Sequence, residues 1–247
     1  MTKMKEIDLK TWKRRTHFEF FRRSDLPFYN VNTNDDISGL KEFAKKNSLS
    51  LNTALMFVTI RALNAIENFR YRLHGESVVF HDALHPSFAH IRDGDDLFSL
   101  ITLDFVDDLP AFNKAVRETI TNTTEYFNIE KLKTRDDFVF ISPLPWFSFT
   151  GIDHTLNLKR DDGIPRISWG KFSESNGKRL LPYNIQVNHM FVDGGDSVVA
   201  LGHYRVVRKE GDQAVMVRFC HAWRIEQGGR IEGVWQVADS AQFPADD

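Results

Sequence analysis

The chain has 247 residues, of which 42% are hydrophobic, 13% aromatic and 27% charged, and its formal net charge is -2. This composition excludes a disordered, collagen-like or coiled-coil chain, and the near-neutral charge excludes the broad basic surface of a general nucleic-acid-binding protein. Arg61 and Glu67 interrupt the most apolar window, residues 52–69, so no membrane span is predicted. The charged start of the chain and the single Cys220 favour a cytoplasmic protein without intrachain disulfides.

Helical and strand patterns are both present in the first 190 residues. Apolar residues recur at helical spacing in four segments, at residues 9–21, 37–46, 52–69 and 109–127. Short runs of β-branched and aromatic residues predict strands at residues 77–81, 87–92, 97–105, 137–141, 146–150, 166–172 and 180–189. The predicted fold class is therefore mixed α and β.

The pattern changes after Gly195. Three long alternating segments, at residues 197–209, 213–226 and 230–239, are joined by Glu-Gly-Asp and Gly-Gly turns. This arrangement predicts an antiparallel β meander. We therefore predict two parts, residues 1–195 and 196–247, with a boundary that rests on pattern because no Pro- or Ser-rich linker separates them.

The residues most suggestive of chemistry lie where the strand predicted over residues 180–189 ends. There His189 precedes a turn made by Asp193, Gly194 and Gly195. An imidazole, with an ordinary pKa of about 6.5, can take a hydroxyl proton near neutral pH and return it later. Taken alone, this short motif favours a structural histidine before an ordinary Asp-Gly turn.

Four sequence motifs, found in a fixed order along the chain, instead favour a role for this histidine in proton transfer. The stretch LPYNIQVNHMFVDG at residues 181–194 resembles the active-site signature of chloramphenicol acetyltransferases, in which L-P-x-x-I-Q-V-x-H leads into x-x-x-D-G. Three further segments resemble the same family: WKRRTHFEFF at residues 12–21, the passage from ALN through FR to VVFHDALHPSF at residues 62–88, and ISPLPWFSFT at residues 141–150. The resemblance covers about residues 3–195.

The resemblance implies an α/β fold with a mixed sheet and flanking helices, and a homotrimer whose active sites lie between subunits. It also implies acetyl transfer from acetyl-CoA, as cosubstrate, to a hydroxyl group of chloramphenicol, with no permanently bound cofactor. His189 matches the family's general base, and Ser142 matches the serine that supports the oxyanion of the tetrahedral intermediate. Asp193 and Arg14 match an ion pair that braces the turn containing Gly194. From residue type alone, a strand-end hydroxyl and a solvated cation remain alternatives for Ser142 and Arg14.

Other positions match the family in part. Ser168 stands where the family carries a threonine near the substrate hydroxyl, and Lys171 stands where a family lysine lies near the CoA phosphates or is simply a solvated strand lysine. Phe21 replaces a tyrosine of the substrate pocket, and His154 replaces an apolar pocket residue. Ser50 replaces a second lysine near the CoA site. These departures imply weaker or altered substrate use.

The largest departure follows the catalytic turn, because the family's long closing helix is missing from the sequence. Residues 197–247 instead resemble the last three strands of a SnoaL-like, NTF2-like cone fold. The polar and aromatic candidates for a small-ligand site in this segment, which are equally candidates for ordinary face residues of a meander, are His203, Tyr204, His221 and Trp223.

The remaining reactive residues point to no additional site. His81, His85 and His90 suggest a metal only weakly, because the strand-like sequence around them argues against a helix that presents two histidines on one face, so no metal is predicted. Cys220 is predicted to be a small buried apolar residue. Three functions stay open: a chloramphenicol-type O-acetyltransferase, an impaired relative that binds acyl-CoA or a small ligand, and small-ligand binding by the C-terminal segment. No nucleic-acid or membrane partner is predicted.

Overall fold

The structure is a computed structural model that describes residues 3–156 and 162–192 in full, and the backbone of strands within residues 197–207, 214–225 and 231–238. Five α-helices are present in these ranges: α1 Arg15–Phe21, α2 Ser38–Lys46, α3 Leu51–Ala65, α4 Leu109–Asn122 and α5 Ile129–Thr134, with a short 3₁₀ turn at Glu67–Arg70. The strands are β1 Met4–Glu6, β2 Phe28–Asp36, β3 Tyr71–His74, β4 Ser77–His81, β5 His85–Ile91, β6 Phe98–Thr102, β7 Phe138–Pro143, β8 Arg166–Trp169, β9 Ser173–Ser175, β10 Lys178–Asn188, β11 Ser197–Val207, β12 Ala214–Ile225 and β13 Ile231–Ala238.

A mixed sheet forms the centre of the fold. Its strands run in the order β2-β10-β8-β7-β5-β6, and β9 pairs with the outer part of β10. The central strands β8, β7 and β5 are parallel, whereas β10 is antiparallel to both β8 and β2, and β6 is antiparallel to β5. A smaller antiparallel sheet has the order β1-β4-β3. The prediction of a mixed sheet with flanking helices is therefore confirmed.

The helix α3 contributes much of the hydrophobic core. It lies against α2, α4 and the central strands β5 and β7. Its buried residues occupy nearly its whole circumference: Thr53, Ala54, Leu55, Met56, Phe57, Thr59, Ile60, Ala62 and Leu63. Burying a side chain of the Leu, Ile or Phe type stabilises the fold by about 1.5–3 kcal/mol, so this helix anchors the sheet from one side.

Local hydrogen bonds explain where the predicted helices differ from the observed ones. The first helix spans only Arg15–Phe21, because a turn precedes it in which the Asp8 carboxylate accepts from the Lys10 amide at 2.9 Å. The helix predicted over residues 109–127 begins as expected, where the Asp108 side chain accepts from the Ala111 amide at 2.8 Å, but it ends at Asn122.

The strand predicted over residues 146–150 is wrong. These residues form an irregular segment that lies beside the end of β8. The Leu144 amide, just before the segment, donates to the Trp169 carbonyl at 2.8 Å, and the Phe147 carbonyl accepts from the amide of Lys171, two residues after β8, at 2.7 Å. Gly170 permits this approach, because a Cβ there would lie 2.8 Å from the Phe147 carbonyl oxygen. A run of aromatic residues is typical of a strand. In the structure, however, these residues cover the end of the central sheet.

The strand β2 was absent from the predicted elements, although it pairs with β10 over nine residue pairs. Its sequence, FYNVNTNDD, is rich in Asn and Asp, which are depleted from strands. Because β2 is an edge strand of the central sheet and much of it is exposed, the polar residues are tolerated.

The C-terminal strands form a third sheet in the order β11-β12-β13, with antiparallel pairing throughout. This agrees with the predicted meander. The division of the chain at residues 195 and 196 and the likeness to a cone fold stay predictions. Within the described ranges, no helix is both long enough and apolar enough to cross a membrane.

A buried arginine joins the small sheet to the central one. Arg72 on β3 is 1% exposed, and its guanidinium donates to the carbonyls of Phe69, Tyr71, Asp136 and Phe138 at 2.7–2.9 Å. Burial lowers its pKa to about 10, so the side chain stays charged at neutral pH. The charge is retained in the core because its N–H groups are directed at backbone acceptors.

Replacing Arg72 by methionine should lower the free energy of unfolding by about 3–5 kcal/mol, because four carbonyls lose their donor while the aliphatic volume is kept. Urea titration of the purified protein measures this change. The matched control is Arg15→Met, since the Arg15 guanidinium bonds Glu19 at the surface, and this variant should keep the stability of the wild type. Equal stability of the two variants would contradict the assignment of Arg72 as a core support.

Candidate active site

His189 lies directly after β10, at the start of a tight turn. The nine-residue pairing of β10 with β2 delivers it there, and its backbone amide donates to the Pro27 carbonyl at 2.7 Å. Asn188 shapes the turn, because its side-chain oxygen accepts from the Met190 amide at 2.9 Å and its side-chain nitrogen donates to the Asp162 carbonyl at 3.0 Å. The position of His189 at a strand end agrees with the prediction.

Two aromatic rings hold the His189 imidazole from both sides. Phe21 of α1 stacks on it with ring centroids 4.4 Å apart and planes 10° from parallel, and Tyr29 of β2 stacks at 4.1 Å and 29°. The histidine side chain is half-buried. Stacking fixes the ring plane, so the imidazole is oriented before any ligand arrives. The sequence predicts Phe21 near the site but not Tyr29. Tyr29 lies in β2, which the sequence pattern does not predict as a strand, so nothing in the sequence indicates its contact with His189.

A second group of aromatic residues packs against the turn that follows His189. The Phe191 ring is buried and stacks on Phe18 of α1 at 6.2 Å, and the Phe191 carbonyl accepts from the Asn68 side chain at 2.8 Å. Gly163 is required at this point, because a Cβ there would lie 2.8 Å from the Phe191 ring. The helix α1 therefore contributes to both layers, through Phe21 on the histidine and Phe18 on the turn.

Ser142 lies elsewhere, near the end of β7. It pairs in register with Ser168 on β8, Ser168 pairs with Asn184 on β10, and Asn184 pairs with Asn32 on β2. Residues directly opposite one another in a sheet point to the same face. Four neighbouring strands therefore carry a row of polar side chains across one face of the central sheet.

The loop that follows β7 covers part of this row. His154 Nε2 lies 3.2 Å from Ser168 Oγ, and burial lowers the pKa of His154, which favours the neutral ring near neutral pH. The Asn184 amide group donates to the side-chain oxygens of Asn32 at 2.9 Å and Asn30 at 3.1 Å. Of the three residues predicted to bind substrate, Ser168 and His154 lie together here and Phe21 lies against His189, and their role in substrate binding stays a prediction.

The surface beside Ser142 is aromatic and includes one predicted cofactor contact. Trp146 is 59% exposed, Phe147 beside it is 43% exposed, and Lys171 is exposed next to the Phe147 backbone. Ser50, the other position considered for cofactor binding, lies directly before α3. An exposed tryptophan next to a lysine offers both an apolar face and a positive charge to a ligand.

Ser142 and His189 lie at opposite ends of the sheet. Ser142 lies in the carboxyl-terminal part of β7 and His189 directly follows β10, but β10 runs antiparallel to β8, which is parallel to β7. Two strand spacings and five residues along β10 separate them, which corresponds to a distance of about 15–20 Å between their Cα atoms. The two predicted catalytic residues therefore do not meet within one chain.

For several predicted site residues, the residue itself or its predicted partner lies outside the described part of the chain. Arg14 is half-buried at the start of α1, but Asp193 and Gly194 lie outside the described residues, so the bracing ion pair stays a prediction. The side chains of the C-terminal candidates also lie outside the described part of the chain: His203, Tyr204, Cys220, His221 and Trp223.

The histidines considered for a metal are in different places. His85 accepts from the Phe105 amide through Nδ1 at 2.9 Å, and His90 lines an open cleft with Arg92. His81 instead meets two residues that sequence reasoning missed. His81 Nε2 and His74 Nε2 each lie 2.8 Å from one oxygen of Asp136. The residue types gave no signal for this cluster, because Asp136 is separated from the histidines by more than 50 residues.

The chain matches the family model described as chloramphenicol acetyltransferase over residues 2–201. It is 28% identical over 192 residues to a chloramphenicol acetyltransferase of Clostridium perfringens, with 76% of this chain and 87% of the relative covered. It is also 28% identical over 191 residues to chloramphenicol acetyltransferase 2 of Escherichia coli, with 76% and 89% covered. Residues 202–247 lie outside the family match.

Solved structures show the same fold. A chloramphenicol acetyltransferase superposes with a TM-score of 0.72 at 24% identity, over 78% of this chain and 93% of that chain. The dihydrolipoamide acetyltransferase of Azotobacter vinelandii superposes with a TM-score of 0.53 at 17% identity, over 72% and 79%. These likenesses confirm the predicted α/β class.

The Asp136 cluster predicts a component of acid sensitivity. Burial alone would raise the pKa of Asp136, but hydrogen bonds from His81 and His74 outweigh it and lower the pKa from 3.8 to about 2. A carboxylate whose pKa is lower in the folded state stabilises the fold above its unfolded pKa and loses that contribution as the pH falls.

Between about pH 5 and pH 2, the wild type should therefore lose about 2 kcal/mol more unfolding free energy than Asp136→Asn does. Urea titrations across this range measure the difference. The control variant Asp96→Asn, at an exposed aspartate, should follow the wild type. Parallel pH profiles for wild type and Asp136→Asn would show that the cluster does not supply this component.

Proposed function

Because the chain belongs to the chloramphenicol acetyltransferase family and is an acyltransferase, we propose that it transfers the acetyl group of acetyl-CoA to a hydroxyl group of chloramphenicol or a similar small alcohol. A neutral alcohol attacks a thioester poorly until a base takes its proton in the transition state. The reaction therefore needs a base beside the alcohol and hydrogen-bond donors at the thioester oxygen.

In the proposed reaction, His189 removes the hydroxyl proton as the alcohol oxygen bonds to the thioester carbon. This positioned base contributes about 10²–10⁴ in rate. Ser142 Oγ donates a hydrogen bond to the resulting oxyanion, a role worth about 3–4 kcal/mol. When the tetrahedral intermediate collapses, the carbon–sulfur bond breaks and the imidazolium returns its proton to the leaving thiolate, which gives the ester and free CoA.

The observation that carries the proposal is the opposite placement of His189 and Ser142. In the tetrahedral intermediate the attacking oxygen and the oxyanion share one carbon, so base and donor must lie within about 8 Å of each other. Within one chain they are about 15–20 Å apart. We therefore propose that each site combines His189 of one chain with Ser142 of another, and that the assembly is a closed homotrimer.

Exposed apolar side chains at both ends of the sheet support this assembly. Phe20 adjoins Phe21, which stacks on His189, and Leu26 adjoins Pro27, whose carbonyl accepts from the His189 amide. Phe20 and Leu26 are 69% and 56% exposed, and Trp146 at the Ser142 end is 59% exposed. Large apolar residues clustered at a surface indicate contact with another molecule. Joining the two ends in neighbouring chains would bury both groups around the reacting atoms.

The row of polar side chains across β7, β8, β10 and β2 determines which acceptors the proposed site would bind. Ser168 and His154 would bind the acceptor beside Ser142, while Phe21 would act from the other chain by keeping the His189 ring in place. Lys171, beside the exposed aromatic segment, would contact the phosphates of acetyl-CoA. Because His154 and Asn184 add hydrogen-bonding groups, an acceptor with several polar groups is favoured over a purely apolar alcohol.

The His189→Ala variant should lose at least about 100-fold in acetyl transfer while keeping the fold, since the variant lacks the base. The measurement mixes the protein with acetyl-CoA and chloramphenicol and follows the release of free CoA thiol. The matched control is His17→Ala, at an exposed histidine of α1, which should keep wild-type turnover. Full activity of His189→Ala would overturn the proposed mechanism, and an inactive wild type would overturn chloramphenicol as the acceptor.

A further inference from the structure

We propose that His74, His81 and Asp136 form a binding site for one divalent transition-metal ion of the zinc class, which ties the β3–β4 hairpin to the start of β7. The site is separate from the residues of the proposed reaction. It would add a structural metal to a chain whose sequence predicts none.

The geometry brings three ligand atoms together from three parts of the chain. His74 ends β3, His81 ends β4, and Asp136 lies just before β7. Each histidine Nε2 lies 2.8 Å from a different oxygen of the Asp136 carboxylate, and the three ligand atoms lie within 4.8 Å of one another. Each histidine therefore faces its own oxygen of one shared carboxylate.

This ligand set suits zinc and its neighbours. Two imidazole nitrogens and a carboxylate oxygen are borderline ligands that select zinc, cobalt or nickel over calcium or magnesium. Tetrahedral ligands at about 2.0–2.1 Å from zinc are about 3.3 Å from one another, so each nitrogen–oxygen pair must open by about 0.5 Å. The His74 side chain is 39% exposed, which gives it room to move and gives an ion access from solvent.

The buried Arg72 lies between the two histidines on the same face of the hairpin, where it pairs in register with Val79. Its positive charge disfavours a nearby cation. Its N–H groups, however, are directed at backbone carbonyls, including that of Asp136, and both oxygens of the Asp136 carboxylate are bonded by the histidines. The Arg72 hydrogen bonds given above go to backbone carbonyls and not to the Asp136 carboxylate, whose oxygens can therefore bind a metal ion.

One feature limits the expected affinity. His81 is almost fully buried, and among the described residues its Nδ1 has no hydrogen-bond partner. A metal-ligating histidine normally donates its second ring N–H, and loss of that support weakens binding by about 10- to 100-fold. We expect a dissociation constant on the order of micromolar rather than the much tighter binding of a zinc finger.

An ion here would stiffen the end of the molecule that carries His189. Asp136 lies at the amino-terminal end of β7, which is the same end of the central sheet as the end of β10. The Arg72 side chain lies 3.6 Å from the Cβ position at Gly163, where the chain packs on Phe191. The metal would thus brace the layer under the catalytic turn without touching the reacting atoms.

The test uses the full-length protein after removal of metal with a chelator, and zinc is then added in a calorimetric titration. The wild type should bind one zinc per chain at this site. His74→Gln keeps a donor to Asp136 but lacks the imidazole, so its affinity should fall at least about 10-fold. The same substitution at the exposed His17 is the control and should leave binding unchanged.

Thermal unfolding gives a second readout, because a ligand that binds only the folded state raises the unfolding midpoint. At the same zinc concentration, zinc should raise the midpoint of the wild type and of His17→Gln clearly more than that of His74→Gln. If His74→Gln fails to fold, Asp136→Asn replaces it with the same expectation. Equal zinc affinity in wild type and these variants, absence of zinc binding by the wild type, or a thiolate band in the spectrum of bound cobalt would each overturn the proposal.

Discussion

The antiparallel pairing of β10 with β8 determines how this molecule can work. It sends the strand that ends at His189 toward one end of the central sheet, while β7 carries Ser142 toward the other. The register of Asn184 with Ser168 fixes the separation, because a shift of the strand by one residue would turn its buried side chains to the opposite face. Chemistry that needs both residues therefore requires two copies of the chain, which relates the proposed trimer directly to the sheet topology.

Different kinds of side chain surround His189 and Ser142 at the two ends of the sheet. The His189 end is aromatic, with Phe21 and Tyr29 stacked on the imidazole and a second aromatic layer beneath it, so ring stacking orients the proposed base. The Ser142 end combines exposed aromatic residues, Trp146 and Phe147, with a row of hydrogen-bonded polar side chains in which His154 contacts Ser168 and Asn184 contacts Asn32. In the proposed two-chain site the oriented His189 ring would face these polar groups, an arrangement consistent with acyl transfer to a polar alcohol.

The sequence predicted the parts of the fold where local pattern and burial agree. The strands β7, β8 and β10 and the helix α3 were found because their apolar residues are buried, and the motif around His189 placed that residue correctly at a strand end. The strand β2 was missed because its Asn and Asp residues are tolerated only at a sheet edge. The aromatic segment after Ser142 was mistaken for a strand because its packing depends on Gly170. The cluster around Asp136 depends on tertiary contacts that no local pattern encodes.

The most direct test of the two-chain site combines the variants Ser142→Ala and His189→Ala, carried on differently tagged chains, in mixed oligomers isolated through both tags. In a cyclic trimer that contains both chains, one site in three pairs an intact His189 with an intact Ser142, so the account predicts about one third of wild-type acetyl transfer. Mixed oligomers no more active than the oligomers formed by each variant alone would contradict a site shared between chains.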